Sequence, residues 1–310
     1  MNSEASDAEI SNFRNRLRYA HDQYWHYLDQ QQDSEPYFSY RLAEEIQDWP
    51  LNLFGGRLLS GDYIEIINLI NAWKRRLSSW SAWNQVLVSL ENDQCTWEVR
   101  HEFVDPLVYY CMNQPSSFRD ALTQFATMAA HIGNINCDSK YKDELLEDHV
   151  IFKRLQQGKA KPYEYFLSRQ KSEAQLLNKS SEWKSSSSLI EFLTSLDCEG
   201  YKDSTKGWRN KSAHYIAPRF DFGETQFVKR YVDFHVEVTP TPDGGVDVFT
   251  DKSKMTIAYG FGGTPPLPLS EAYGLNKQQY DNALNAMHCC EKLLQEIYDR
   301  KLSLNDHPNR

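Results

Sequence analysis

The chain has 310 residues, of which 40% are apolar and 13% aromatic, and its formal net charge is −9. This composition predicts a folded chain that can bury a core without disulfide or metal support. The negative balance excludes binding to nucleic acid or an anionic membrane through overall charge, so any contact with a phosphate backbone needs a local basic patch.

The N-terminus is polar and acidic, and no apolar stretch is long enough to span a bilayer. We therefore expect no signal peptide, no membrane contact and a cytoplasmic location. The six cysteines form neither a CxxC pair nor a secreted-type framework, which predicts reduced thiols. Neither a metal nor a cofactor is expected.

The N-terminal third is predicted to be helical, from the spacing of its apolar residues. The predicted helices cover residues 6–32, 37–48 and 62–90. Gly55-Gly56 is predicted to be a turn before the third of these helices. The stripe of Trp73, Trp80 and Trp83 at helical spacing predicts a core face or a dimer interface.

The middle of the chain continues the helical pattern. Further helices are predicted at residues 96–112, 116–131, 140–157 and 162–181, with a loop at 134–138. The serine run 185–188 is predicted to begin another helix.

After His214 the apolar period changes to that of strands. Strands are predicted at residues 226–239, 246–250 and 254–259, with a turn at Pro242-Asp243-Gly244-Gly245. A loop is then predicted at 260–268, a closing helix at 276–301 and a frayed tail at 305–310. The fold class is therefore mainly α: a helical bundle with a small antiparallel β insertion at about 225–260. We expect an N-terminal helical region, 1–95, and a second domain, 96–310, or one continuous domain.

The most chemically suggestive segment runs from Trp208 to Tyr215 and contains Arg209, Asn210 and His214. An imidazole with a pKa near neutrality can take the proton of a ribose 2′-OH, and a guanidinium can hold phosphate oxygens. Asn210 could orient the phosphate or the imidazole ring.

This Arg-Asn-x-x-x-His pattern, ahead of a closing helix, resembles the RX4-6H motif of the HEPN superfamily. The motif covers only residues 209–214, and the helical context extends the resemblance loosely over about 96–310. The resemblance implies a metal-independent endoribonuclease that acts on RNA as a toxin or phage-defence effector, held in check by an antitoxin or regulatory protein. The alternative is a non-catalytic helical binding or scaffold protein with a degenerate motif.

A basic island surrounds the motif on an otherwise acidic chain. Lys202, Lys206, Lys211 and Arg219 supply the charge, and Lys206, Lys211 and Arg219 are the candidate substrate-binding cations. The flanking aromatic rings of Trp208 and Tyr215 are expected to stack on bases.

The spacing of Arg209 and His214 limits how both side chains can reach one substrate. In a regular helix, side chains five residues apart point about 140° away from each other. The site therefore needs a helix break near His214 or a second copy of the motif across a dimer, and the HEPN resemblance implies a homodimer.

Other pairs and clusters are alternatives. Similar Arg/His spacings are Arg14/His21, Arg16/His21 and Arg230/His235, and the last pair is expected on opposite faces of a strand. Arg209 and His214 could also merely cap a helix end. A metal could be bound by Glu144, Asp148 and His149, although these residues are more simply explained as a solvated helix face. We interpret Cys289 and Cys290 as buried thiols. The glycine-rich segment 260–264 lacks the ending of a phosphate-binding loop.

Overall fold

The computed structural model describes residues 7–31, 36–52, 54–159, 161 and 167–306. It is mainly helical with one two-stranded antiparallel sheet, which confirms the α class and the small β insertion. Two compact units are present: one comprises Met1–Tyr201 with Tyr273–Arg310, and the other is Lys202–Ala272. The expected division near residue 95 stays a prediction.

The helices follow one another along most of the chain. They are α1 Asp7–Gln30, α2 Arg41–Gln47, α3 Gly55–Ser89, α4 Asp93–Val99, a π-helical turn Arg100–Val104, α5 Asp105–Cys137, α6 Asp148–Gln156, α7 Arg169–Lys179, α8 Ser186–Ser195, α9 Glu199–Ser204, α10 Trp208–His214 and α11 Leu269–Asp306. The strands β1 Thr225–Pro240 and β2 Val246–Thr264 lie between α10 and α11.

The predicted turn at Gly55-Gly56 is wrong, because both glycines lie inside the first turn of α3. A Cβ at Gly56 would lie 2.6 Å from the carbonyl oxygen of Ile46, near the end of α2. The glycine is therefore required by the close approach of two backbones, and not by a turn conformation. Its packing role could not be distinguished from a turn in the sequence.

The predicted helices 96–112 and 116–131 are one nearly continuous element, and the predicted loop 134–138 is wrong. From Asp93 the backbone stays helical through the π turn to Cys137, with Pro115 inside α5. Proline removes the N–H that would bond to the carbonyl four residues earlier, here that of Cys111. The amide of Asn276 supplies the missing donor, at 2.8 Å from this carbonyl oxygen. A distant side chain thus compensates for Pro115.

The predicted helices 140–157 and 162–181 are shorter in the structure. Only Asp148–Gln156 and Arg169–Lys179 are helical, and 162–166 lie outside the described residues. The buried imidazole of His131 contacts both the Tyr141 hydroxyl and a carboxylate oxygen of Asp143, each at 2.8 Å. These contacts hold the segment after α5 in a non-helical path. The predicted helix start within 185–188 is confirmed by α8.

Tryptophans fill the core of the larger unit. Trp73, Trp80 and Trp83 are buried, which confirms the core interpretation of this stripe. The Trp83 ring is stacked between Tyr24 of α1 and Phe103 of the π turn, with ring centroids 4.6 and 4.8 Å away. These stacks attach α1 and the π turn to α3 through large apolar contacts.

Two buried indole N–H groups of the core have asparagine side chains as partners. The Trp73 indole N–H donates to Asn276 Oδ1 at 2.9 Å, and the Trp183 indole N–H donates to Asn134 Oδ1 at the same distance. Asn276 also donates to the Tyr201 hydroxyl at 3.2 Å. Asn276 is fully buried and joins α3, α5, α9 and α11.

The strands form one long hairpin. Thr225 pairs with Thr264 at its base and Pro240 with Val246 at its tip, and the register shifts between Phe234 and His235. The segments predicted as two strands, 246–250 and 254–259, are therefore parts of β2, and the predicted loop 260–268 is wrong as far as Thr264. The closing helix is confirmed but is longer than predicted at both ends. The predicted frayed tail is therefore wrong at 305–306, and 307–310 lie outside the described residues.

We predict that Asn276→Ala lowers the free energy of unfolding by about 3 kcal/mol, because it leaves the Trp73 indole N–H and the Cys111 carbonyl buried without this partner. Chemical denaturation followed by far-UV circular dichroism measures the change. Asn285→Ala, at an exposed position of the same helix, is the matched control and should change stability by less than about 0.5 kcal/mol. Equal effects of the two substitutions would contradict the role of Asn276.

Candidate functional site

The candidate site is built on α10, which lies entirely in the smaller unit. Lys206 and Gly207 precede it in the left-handed region, with φ of 56° and 64°. Only glycine adopts this conformation without cost, so a left-handed lysine is a local strain of the kind that collects at functional positions. The Lys206 ammonium donates to the carbonyl oxygens of Pro265 and Pro266, at 3.3 and 2.7 Å.

Trp208 anchors the start of α10. Its side chain is only 3% exposed, and its ring lies 5.7 Å from that of Phe220. Phe220 belongs to a short strap that pairs with Leu267, so the helix is fixed to the segment following the hairpin. The expectation that Trp208 stacks on a base is therefore corrected: its ring packs in the interior of this unit.

The motif side chains leave α10 in different directions. Arg209 is half-buried, and its Nη1 donates to Asn210 Oδ1 at 3.3 Å, while Asn210 and His214 are exposed. All residues from 209 to 214 are helical, so Arg209 and His214 diverge by about 140°. Asn210 can thus orient the guanidinium, and the imidazole is free to meet a ligand from solvent.

The helix break called for near His214 is present. The helix ends at His214, and Tyr215 leaves the helical region with φ −152° and ψ −138°. Because His214 is still helical, the break redirects the chain after it and does not bring the imidazole toward Arg209. One copy of the motif therefore presents its two groups on separate sides of α10.

Lysines converge beside the helix. Burial lowers the pKa of Lys211, and the nearby charges of Lys229 and Lys206 lower it further. The Lys211 ammonium lies 3.5 Å from the Thr264 hydroxyl oxygen, at the base of the hairpin. Three ammonium groups thus create a positive potential at one end of the hairpin, where an anion would relieve their repulsion.

Lys229 was missed in the sequence because it lies in a strand, twenty residues after Arg209. It is paired with Gly260, and Gly262 opposes the neighbouring Phe227. Since neither glycine has a side chain, Lys229 has room to lie over the Phe227 ring, 5.0 Å from its centroid. A strand lysine facing alternate glycines was the available signal.

Tyr215 and Arg219 are both exposed, as their predicted substrate-binding roles require. The Tyr215 ring makes an edge contact with Phe227 at 5.6 Å, and its hydroxyl donates to the Val228 carbonyl at 3.5 Å. The residue is 57% exposed to solvent. Tyr215 is thus the aromatic residue of the motif that can stack on a base.

The charges confirm that the basic island is local. Residues 202–230 contain seven Lys and Arg against three Asp and Glu, a net charge of +4 on a chain whose total is −9. The hairpin beyond this point, 231–264, contains two lysines against five acids. Within residues 202–264, the excess of positive charge therefore lies in α10, its flanking segments and the base of the hairpin.

The structure disfavours two of the competing Arg/His pairs, Arg16/His21 and Arg230/His235. Arg16 forms a bidentate ion pair with Glu98, with both N–O distances 2.7 Å, so its guanidinium is occupied. Arg230 and His235 point to opposite faces of β1, as predicted from their odd separation.

The other clusters give no ligand set. Among the described residues, no group of three or more His, Cys, Asp and Glu side chains is arranged to hold a metal ion. His149 lies 3.6 Å from Glu144 at an exposed position. Cys289 and Cys290 are buried, which confirms their interpretation as core thiols, and burial raises the pKa of both.

We predict that Lys229→Met raises the pKa of Lys211, because one of the positive charges that disfavour its protonation is removed. A pH titration of the Lys211 side-chain NMR signals measures the change. Lys252→Met, which removes an exposed lysine near the other end of the hairpin, is the control and should leave the Lys211 titration in place. An unchanged Lys211 pKa in Lys229→Met would contradict the convergence of these ammonium groups.

Comparisons of the chain with known proteins add no relative: no protein-family model, curated protein sequence or solved structure matches it. Within the described part of the chain, none of the helices combines the length and the apolar character needed to cross a membrane.

Proposed function

We propose that this chain is a metal-independent endoribonuclease of the HEPN type, with α10 as its catalytic segment. The observation that carries the proposal is the placement of Arg209, Asn210 and the exposed His214 on one short helix beside the lysine cluster. A basic site on a chain of net charge −9 suits a polyanionic substrate.

The proposed reaction needs no group beyond these side chains and the RNA. The neutral imidazole of His214 takes the proton of a ribose 2′-OH, and the resulting oxygen attacks the adjacent phosphorus. The bond from phosphorus to the 5′ oxygen breaks, and the imidazolium of His214 returns its proton to that oxygen through solvent. The products are a 2′,3′-cyclic phosphate and a 5′-hydroxyl end.

Arg209 is proposed to hold the phosphate oxygens as charge builds on them, since a guanidinium can donate two parallel hydrogen bonds. Asn210 accepts a hydrogen bond from this guanidinium and is a positioning residue for it. Lys206, Lys211 and Arg219 attract the neighbouring phosphates, and Tyr215 stacks on an unpaired base.

The different directions of the Arg209 and His214 side chains affect the proposed oligomeric state. Because one helix points them about 140° apart, we propose that a second copy of the motif completes the site, as the HEPN resemblance implies. The role as a cytoplasmic toxin or phage-defence effector, restrained by an antitoxin or regulatory protein, also rests on the resemblance. In chain order α10 precedes the hairpin and the closing helix α11, which agrees with the order of motif and closing helix in the HEPN resemblance.

The same divergence favours a second candidate, a non-catalytic binding protein. In that case the lysine cluster would still bind RNA, but no strand would be cut. Measurement of binding and cleavage on the same RNA distinguishes these functions.

We predict that the purified protein cleaves RNA in EDTA, and that His214→Ala and Arg209→Ala each lower the rate by at least about 100-fold. Gel analysis of total RNA, followed by a defined single-stranded substrate, measures the rates. His235→Ala and Arg14→Ala remove the same residue types elsewhere and should retain cleavage. Full cleavage by both His214→Ala and Arg209→Ala, with metal chelated, would refute the site.

A further inference from the structure

The hairpin of the smaller unit has two chemically different faces. Directly paired residues of β1 and β2 have their side chains on the same face of the hairpin. One face consists of the even-numbered residues of β1 and their partners on β2. We name this the apolar face; its large side chains are Val228, Val232, Phe234, Val236 and Val238 of β1, and Val246, Val248, Met255, Ile257, Tyr259 and Phe261 of β2. The opposite face is mixed: it carries the charged or titratable residues Lys229, Asp233, His235, Glu237, Asp247 and Asp251 together with the aromatic residues Phe227, Tyr231 and Phe249.

All eleven side chains of the apolar face are open to solvent, at 38 to 96% exposure. The strip follows a strand of 16 residues, a length of about 50 Å. Arg230 is the one charged residue paired within it. An exposed apolar strip of this size marks an interaction surface, and an isolated two-stranded hairpin gains little stability by itself.

We infer that the apolar face packs against the same face of a second copy of this chain. Eleven large side chains at these exposures amount to about 1,000 Å² per copy, above the roughly 800 Å² per partner of a standard protein interface. Two such faces can stack as a pair of sheets about 10 Å apart. Because both copies use the same face, the contact closes as a twofold pair.

The charge distribution sets the direction of the pair. Residues 202–230, at the base of the hairpin, have a net charge of +4, and residues 231–264 have a net charge of −3. An antiparallel arrangement places the basic base of each hairpin near the acidic end of the other. The same acidic end disfavours an anionic membrane, and a strip with one arginine offers little to nucleic acid.

The contact leaves α10 accessible. Lys211 and Tyr215 approach Thr264 and Phe227, which lie on the face opposite the apolar one. The inferred contact is therefore separate from any pairing of motifs, and it does not rest on the ribonuclease activity.

Sedimentation velocity of the full chain between about 1 and 100 µM tests the contact. Val232→Lys/Val248→Lys places two charges on the apolar face and should weaken association at least about 100-fold, halving the assembly mass at intermediate concentrations. The matched control, Tyr231→Lys/Phe249→Lys, changes two exposed side chains of the other face and should retain the wild-type mass. Circular dichroism confirms that each variant is folded.

Mixing the Val232→Glu and Val232→Lys chains tests whether the apolar face binds a second copy of this chain. Each variant alone should associate weakly, and the mixture should form the paired species, because the opposite charges meet across the twofold contact. A monomeric wild type at the highest concentration, or unchanged association of Val232→Lys/Val248→Lys, would overturn the inference. RNA cleavage is measured separately, so loss of the paired species with retained cleavage is distinguishable from failure of the ribonuclease proposal.

Discussion

The larger unit depends on one buried amide. Pro115 deprives the Cys111 carbonyl of its helical donor, and the Nδ2 of Asn276 replaces it while Oδ1 accepts the Trp73 indole N–H. The amide thus satisfies a defect in α5 and an indole of α3 from a position more than 150 residues away.

Positive charge in the smaller unit is concentrated at the base of the hairpin. The base of the hairpin gathers Lys206, Lys211 and Lys229 beside α10, and mutual repulsion together with burial lowers the pKa of Lys211. Such a cluster costs stability unless an anion or solvent offsets the repulsion. The Lys206 ammonium also donates to the carbonyl oxygens of Pro265 and Pro266, which connects the residue before α10 to the segment after the hairpin.

The sequence predicted element types where one periodicity dominated. The strand period from residue 226, the closing helix and the tryptophan core were recognised because burial repeats along the chain. Gly55-Gly56, Pro115 and the segment after α5 were misjudged, because their conformations are set by distant partners: the end of α2, the amide of Asn276 and the imidazole of His131. Local propensity cannot contain such information.

The same reasoning explains why the candidate site was only partly predictable. Arg209, Asn210 and His214 are close in sequence and could be found as a motif, whereas Lys229 lies on β1 and is near Lys211 only in the folded chain. The alternation of the hairpin then places Lys229 on one face and the apolar strip on the other. With a period of two residues, the hairpin carries the proposed anion site on one face and the surface inferred to bind a second copy on the other.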